Sequence, residues 1–290
     1  MTDAFGRSAG PLTPRIYGGS ELGVLALTAP GDVHPRVEYV GGDLFVGLDD
    51  HGVAVTQGEV ERWSRPFRDA VREALPSDTA TPDAADGVIV VRDEVAAAAL
   101  LVDPARLPGS PQTPVVFALA RDRVAIVGAG DEAAVGRVLD LAEELFAAGG
   151  PLVSAHPVAP AGGADGGWAP FPWRERYASL TPRFERVLRL FSVRAYEAQS
   201  VALQRPDVHF ADPKIQVLDT GVTVTIAAWP KGTATLLPVV DNVIVADPAG
   251  TLSVATFDQF LDAGGDAIIR TGLSPLRYFV PGEPPRNPGA

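Results

Sequence analysis

The sequence predicts an α+β protein of two domains, built mostly of antiparallel sheet with helices packed on one face. Three observations carry this prediction. Short β-branched runs recur in pairs separated by two or three polar residues, which is the spacing of hairpins. Longer segments with apolar residues at i, i+4 and i+7 alternate with them, as helices with one buried stripe do. A stretch crowded with Pro and Gly, HPVAPAGGADGGWAPFPWRER at 156–176, then interrupts all periodicity near the middle of the 290 residues. The resulting order is a flexible N-terminus at 1–14, a first domain at 15–155, a linker at 156–176, a second domain at 177–281 and a disordered tail at 282–290.

In the first domain, residues 43–49 (DLFVGLD) and 52–55 (GVAV) flank Asp50-His51-Gly52 and predict a hairpin. A helical stretch follows, in which Val60 and Trp63 share a face, Ser64 can cap a second turn beside Pro66, and Phe67, Val71, Ala74 and Leu75 form a core stripe. Residues 87–91 (GVIVV) and the Ala-rich run to Val102 read as strands, ended by the Pro-rich break at 107–114. Residues 115–120 (VVFALA) and 123–127 (RVAIV) meet at Arg121-Asp122 as a second hairpin. Asp131 caps a helix with Ala134, Val135, Val138, Leu141, Ala142, Leu145 and Phe146 on one face, and Gly149-Gly150-Pro151 stops it before a short strand at 152–154.

In the second domain, Thr181-Pro182 starts a helix whose expected stripe is Phe184, Val187, Leu188, Phe191, Ala195 and Ala198, running towards Gln204 and ended by Pro206. Four β-rich runs follow at 215–218, 222–227, 235–240 and 243–246. Phe257, Phe260 and Leu261 belong to a short helix closed by Gly264-Gly265, and 267–269 and 278–280 supply final strands. Residues 44–63 and 243–261 echo one another, each reading strand, acidic-Gly turn, short strand, helix.

Lys+Arg 24 against Asp+Glu 36 gives a net charge of −12, a field that repels phosphate backbones and anionic lipid, so neither nucleic acid nor a membrane is expected as partner. The absence of cysteine removes disulfides, thiolate metal sites and cysteine nucleophiles. The opening MTDAFGRSAGPLTPR carries an acid at Asp3 and no apolar run, and no later stretch reaches the ~18 apolar residues of a spanning helix, so the expected location is cytoplasmic.

Candidate chemistry is sparse. Gly128, Gly130 and Ala133 satisfy GxGxxA between a strand and a helix, the place where a dinucleotide pyrophosphate rests. The preceding strand reads as a hairpin arm rather than the start of a parallel βαβ unit, and Asp131 and Glu132 would repel a pyrophosphate, so no cofactor is expected. Asp207, His209 and Asp212 have metal-like spacing, since residues two apart on a strand face one way, and they define the alternative of a hydrolase or metal-dependent enzyme. The same residue types recur at Asp49-Asp50-His51, where a turn explains them. No GxSxG elbow occurs, Lys231-Gly-Thr lacks the glycines of a phosphate loop, and pairs such as Glu59 with Glu61 or Glu143 with Glu144 read as solvated helix faces. Trp168, Phe171 and Trp173, set among prolines, are the candidate partner-binding residues; such rings either anchor a partner or pin the segment into a core.

Residues 15–158 carry RIY at 15–17, a strand followed by an acid in DLFVGLDDHG, V-x-x-W-S, a helix ending at Ala74-Leu75, and VFALARDRVAIVGAGDEAAVGRVLDLAEELFAAGGPLVSAHPV. In this order and punctuation they resemble the YtpQ-like proteins, a bacterial family of unknown function. The resemblance implies a bacterial source and carries no catalytic residues. The sequence therefore points to a non-enzymatic acidic binding or adaptor protein with a protein partner.

Overall fold

The computed structural model describes residues 11–77, 82–108, 113–162, 167–203 and 207–282. It is an α+β fold of four mostly antiparallel sheets, divided into two compact units after Val187.

The first unit carries strands β1 (Thr13–Gly18), β2 (Val37–Gly41), β3 (Leu44–Asp50), β4 (Val53–Ala54), β5 (Asp83–Ala85), β6 (Val88–Val91), β7 (Pro114–Ala120), β8 (Arg123–Gly128), β9 (Val158–Pro160) and β10 (Trp168–Pro170). Its helices are α1 (Gly19–Thr28), α2 (Gln57–Val60), α3 (Phe67–Glu73), α4 (Glu94–Val102), α5 (Glu132–Ala147) and α6 (Trp173–Arg176). α7 (Thr181–Leu203) begins in this unit and continues into the next. One sheet has the order β1-β3-β2 with β4 on β3, and the other the order β10-β9-β7-β8-β6-β5.

Alternation dictates the inward faces. Ile16 faces Val46 across β1 and β3, and with Leu44 and Leu48 it packs against α4 and the Val116, Ala118, Val124 and Ile126 face of β7 and β8. The β3–β4 hairpin turns at His51 and Gly52, both at positive φ (51° and 81°), the mirror-image turn that suits strand twist. The β7–β8 hairpin at Arg121-Asp122 and the Asp131 cap, which accepts from the Ala134 N–H at 2.8 Å, form where the sequence places them.

Several elements differ from the sequence reading. The run to Val102 is the helix α4, because the Asp93 side chain accepts the Ala96 N–H and alanine favours helix; a helix apolar all round is one buried all round. Ser64 does not cap α3, whose N-cap position is Pro66; the capping box lies earlier, between Thr56 and Glu59. Residues 152–154 form no strand, although the N–H groups of Val153 and Ser154 donate to β7 carbonyls.

The described parts of the expected linker, 156–162 and 167–176, belong to the first unit. Val158 pairs with Val116 of β7, β10 closes that edge of the sheet, and Pro160 and Pro170 end their strands where no ladder hydrogen bond is lost. The division falls inside α7, where neither Pro nor Gly marks it, so residues 177–187 belong to the first unit. Thr13 and Pro14 are likewise part of β1, while 1–10, 283–290, Gln204 and Pro206 lie outside the described residues.

The second unit adds β11 (His209–Phe210), β12 (Lys214–Val217), β13 (Thr223–Pro230), β14 (Thr235–Pro238), β15 (Asn242–Ala246), β16 (Leu252–Thr256), α8 (Phe257–Gly264), β17 (Ile269–Arg270) and β18 (Arg277–Val280). Its sheets have the orders β12-β13-β15-β16 and β11-β14-β18-β17. The pairs β13–β15 and β11–β14 are parallel and the rest antiparallel. Ala227, Trp229, Leu237, Val243, Phe257 and Phe260 form the core.

Along α7 the buried residues are Phe184, Val187, Leu190, Val193, Tyr196 and Gln199, not the expected Leu188, Phe191, Ala195 and Ala198. Steps of three lag the 3.6-residue turn by about 60° each, so the buried line winds round the helix instead of running straight along it.

Candidate interaction surface

The candidate aromatic anchors are core residues of the first unit. Trp168 is buried and its Nε1–H donates to the Leu101 carbonyl at 2.7 Å. Trp173 stacks on Phe184 with centroids 4.4 Å apart, and Phe171 meets Tyr177 at 5.6 Å. Trp168 packs with the Val116 and Ala118 side of β7, and Trp173 reaches the other side through Phe184, which stacks on Phe117.

Gly128 ends β8, which is antiparallel to both β6 and β7, so 128–133 is a hairpin arm entering a capped helix and lacks the parallel neighbour a dinucleotide site uses. Asp207 and His209 are exposed, whereas Asp212 accepts from Ser200 Oγ at 2.5 Å and lies 3.9 Å from Arg277. Among the described residues no group of three or more His, Cys, Asp or Glu side chains gathers as a metal site. Asp50 and His51 sit at the β3–β4 turn, 3.7 Å apart.

A polar cluster of the first unit lies on the face of β1 and β3 opposite Ile16 and Val46. Arg15 bonds Asp49 at 2.9 Å and stacks over Tyr17, and Arg121 pairs with Glu21. Tyr17 is buried, and its hydroxyl has no hydrogen-bond partner among the described residues. Burial pushes this phenol up to about 12, so it stays protonated well into the alkaline range.

Two side-chain networks that sequence reading missed position the sheets of the second unit. Arg277 is fully buried and uses all five donors: Nε to Gln199 Oε1 (2.6 Å), Nη1 to the carbonyls of Ala211 (2.7 Å) and Leu236 (3.0 Å), and Nη2 to the Tyr196 carbonyl (3.2 Å) and Ser200 Oγ (2.7 Å). Burial lowers its proton affinity, and the Asp212 charge offsets part of that. Asp241 receives Arg189 through both oxygens at 2.9 Å and the Thr225 N–H and hydroxyl at 2.6 and 2.7 Å. Burial acts to raise its pKa, but these donors prevail and hold it at about 2.

Held this way, the β12-β13-β15-β16 sheet turns Thr225, Ala227, Trp229 and Val243 into the core. Its opposite face carries Ile226, Ala228, Ile244, Ala246, Leu252 and Val254, where Ala228 neighbours Ile244 and Ile244 neighbours Val254. All six are at least part-exposed, with Leu252 at 67 % and Val254 at 68 %. A sheet with one solvated face ordinarily alternates polar outward; here the polar residues of that face, Lys214, Gln216, Asn242 and Thr256, lie along β12 and at one end, and the part around Ala228, Ile244 and Val254 is apolar.

Fold and surface together define an α+β chain of two units, with a sheet in the second unit that carries part-exposed and exposed apolar residues on one face. Comparison with family models, curated proteins and solved structures finds no match to this chain. Among the described residues no helix is long and apolar enough to cross a membrane.

Proposed function

We propose that this chain is a non-enzymatic, cytoplasmic protein-binding module of the bacterial YtpQ-like kind, which takes its protein partner on the outer face of the β12-β13-β15-β16 sheet. The carrying observation is that face: contiguous Ala228, Ile244 and Val254 turned to solvent in a chain of net charge −12. Water-exposed apolar area of this kind is stabilised by burial, at about 25 cal/mol per Å² removed from water. The net charge of −12 disfavours nucleic acid and anionic lipid as occupants of that face.

The test is affinity capture with the tagged full chain and with its Ile244→Lys variant, followed by mass spectrometry. The expected result is a stoichiometric protein recovered with the native chain and lost with the variant, whose melting temperature stays within a few degrees because Ile244 is part-exposed. The same companions on both chains, or none on either, would refute the reading.

A further inference from the structure

We propose that β16 is a self-pairing edge: two copies of the chain join antiparallel through Leu252–Thr256 about a twofold axis at Val254, merging their four-stranded sheets into one. β16 ends its sheet, with β15 on one side and, among the described residues, no strand on the other. Open edges are normally blunted by charge or proline. Every other edge strand of three or more described residues is blunted so: β1 by Pro14 and Arg15, β2 by Glu38, β5 by Asp83, β10 by Pro170 and β12 by Lys214. The five residues of β16, LSVAT, carry neither.

Backbone geometry fixes the register. The Asp247 N–H donates to the Thr251 carbonyl at 2.9 Å, and antiparallel alternation then aims the polar groups of Ser253 and Ala255 at β15 and those of Leu252 and Val254 outward. A twofold axis at Val254 sets each Val254 against its own copy in a hydrogen-bonded pair, Ser253 against Ala255, and Leu252 against Thr256, whose N–H is held by Gln259 Oε1 in the α8 capping box, so the two backbone bonds of the Val254 pair are the ones the edge offers. Every pair is uncharged, which matters between two chains of −12 each. Leu252 and Val254, both more than two-thirds exposed, gain apolar neighbours on the same outer face.

The assay contains this chain alone, so its failure and the failure of the docking-face reading are separable. Sedimentation from micromolar to submillimolar concentration is expected to show the native chain at twice its 30.3 kDa and Val254→Lys at 30.3 kDa, with association weakened at least ~10-fold and the fold retained. Added salt should tighten the dimer by screening the net charge, the reverse of a charge-driven contact. Because the chain lacks cysteine, Val254→Cys should oxidise to a covalent dimer, its Cα atoms ~5.5 Å apart, and Ser253→Cys should not. A native chain monomeric throughout, a dimer that survives Val254→Lys, or equal cross-linking by both cysteines would overturn the proposal.

Discussion

Single polar residues of the second unit, the buried Arg277 and the part-exposed Asp241, hold its sheets in place, and their cost and benefit are measurable one at a time. Arg277 satisfies five donors with five acceptors inside the protein, which a lysine ammonium with three donors cannot do. Arg277→Lys should therefore lose about 2 kcal/mol or more in urea unfolding despite keeping the charge. A retained midpoint would show that the network is dispensable. Asp241 gives a pH-dependent case. Its folded pKa of about 2 lies below the ordinary 3.8, so its contribution is fully present above the ordinary value and disappears as pH falls from about 4 through 2. Asp241→Asn should unfold more easily at pH 7 and show a flatter loss of stability across that acid window, which unfolding curves at pH 7 and pH 3 would reveal.

At the scale of elements, close backbone approach decides what the chain tolerates. Gly41 has φ +148°, and a Cβ there would stand 2.2 Å from the Trp168 carbonyl oxygen, so β2 can lie beside β10 only without a side chain. Gly41→Ala should destabilise by about 1–3 kcal/mol, read as a lower melting temperature, while Gly52→Ala, at a turn with open space, should cost only its positive-φ strain. The hairpins around His51-Gly52 and Arg121-Asp122 and the Asp131 cap were legible because turns and caps are local chemistry. α4 was misread because an all-apolar run has no periodicity from which to tell helix from strand. The 156–176 segment was misread because proline and glycine mark sheet edges and tight contacts as well as linkers. Of the surface itself, the strands were visible but not their outward face, since β-branched residues on both faces hide which one the core takes. Arg277 and Gln199 were invisible, because charged and amide side chains are ordinarily read as solvent-facing. The echo between 44–63 and 243–261 is real at this scale, since Thr56 and Thr256 both open helices through capping boxes, but β3 and β15 have different sheet partners.

For the molecule as a whole, an acidic chain with an uncharged strip at one sheet edge should associate where its charge is absent, and the salt dependence of its mass is the readout. The position of the unit boundary has a separate consequence. Because Val187 and Leu188 are consecutive residues of one helix, the arginines that trypsin would use there, Arg183, Arg186, Arg189 and Arg194, all present helical backbone that cannot enter a protease cleft. Limited trypsin digestion should release no fragment ending at these residues until that helix melts, and their cleavage rate should follow the unfolding equilibrium as urea is raised. Early, denaturant-independent cutting at any of the four would show that the helix opens locally. A chain that divides within a helix thus hides its seam from the enzymes that degrade proteins at their joints.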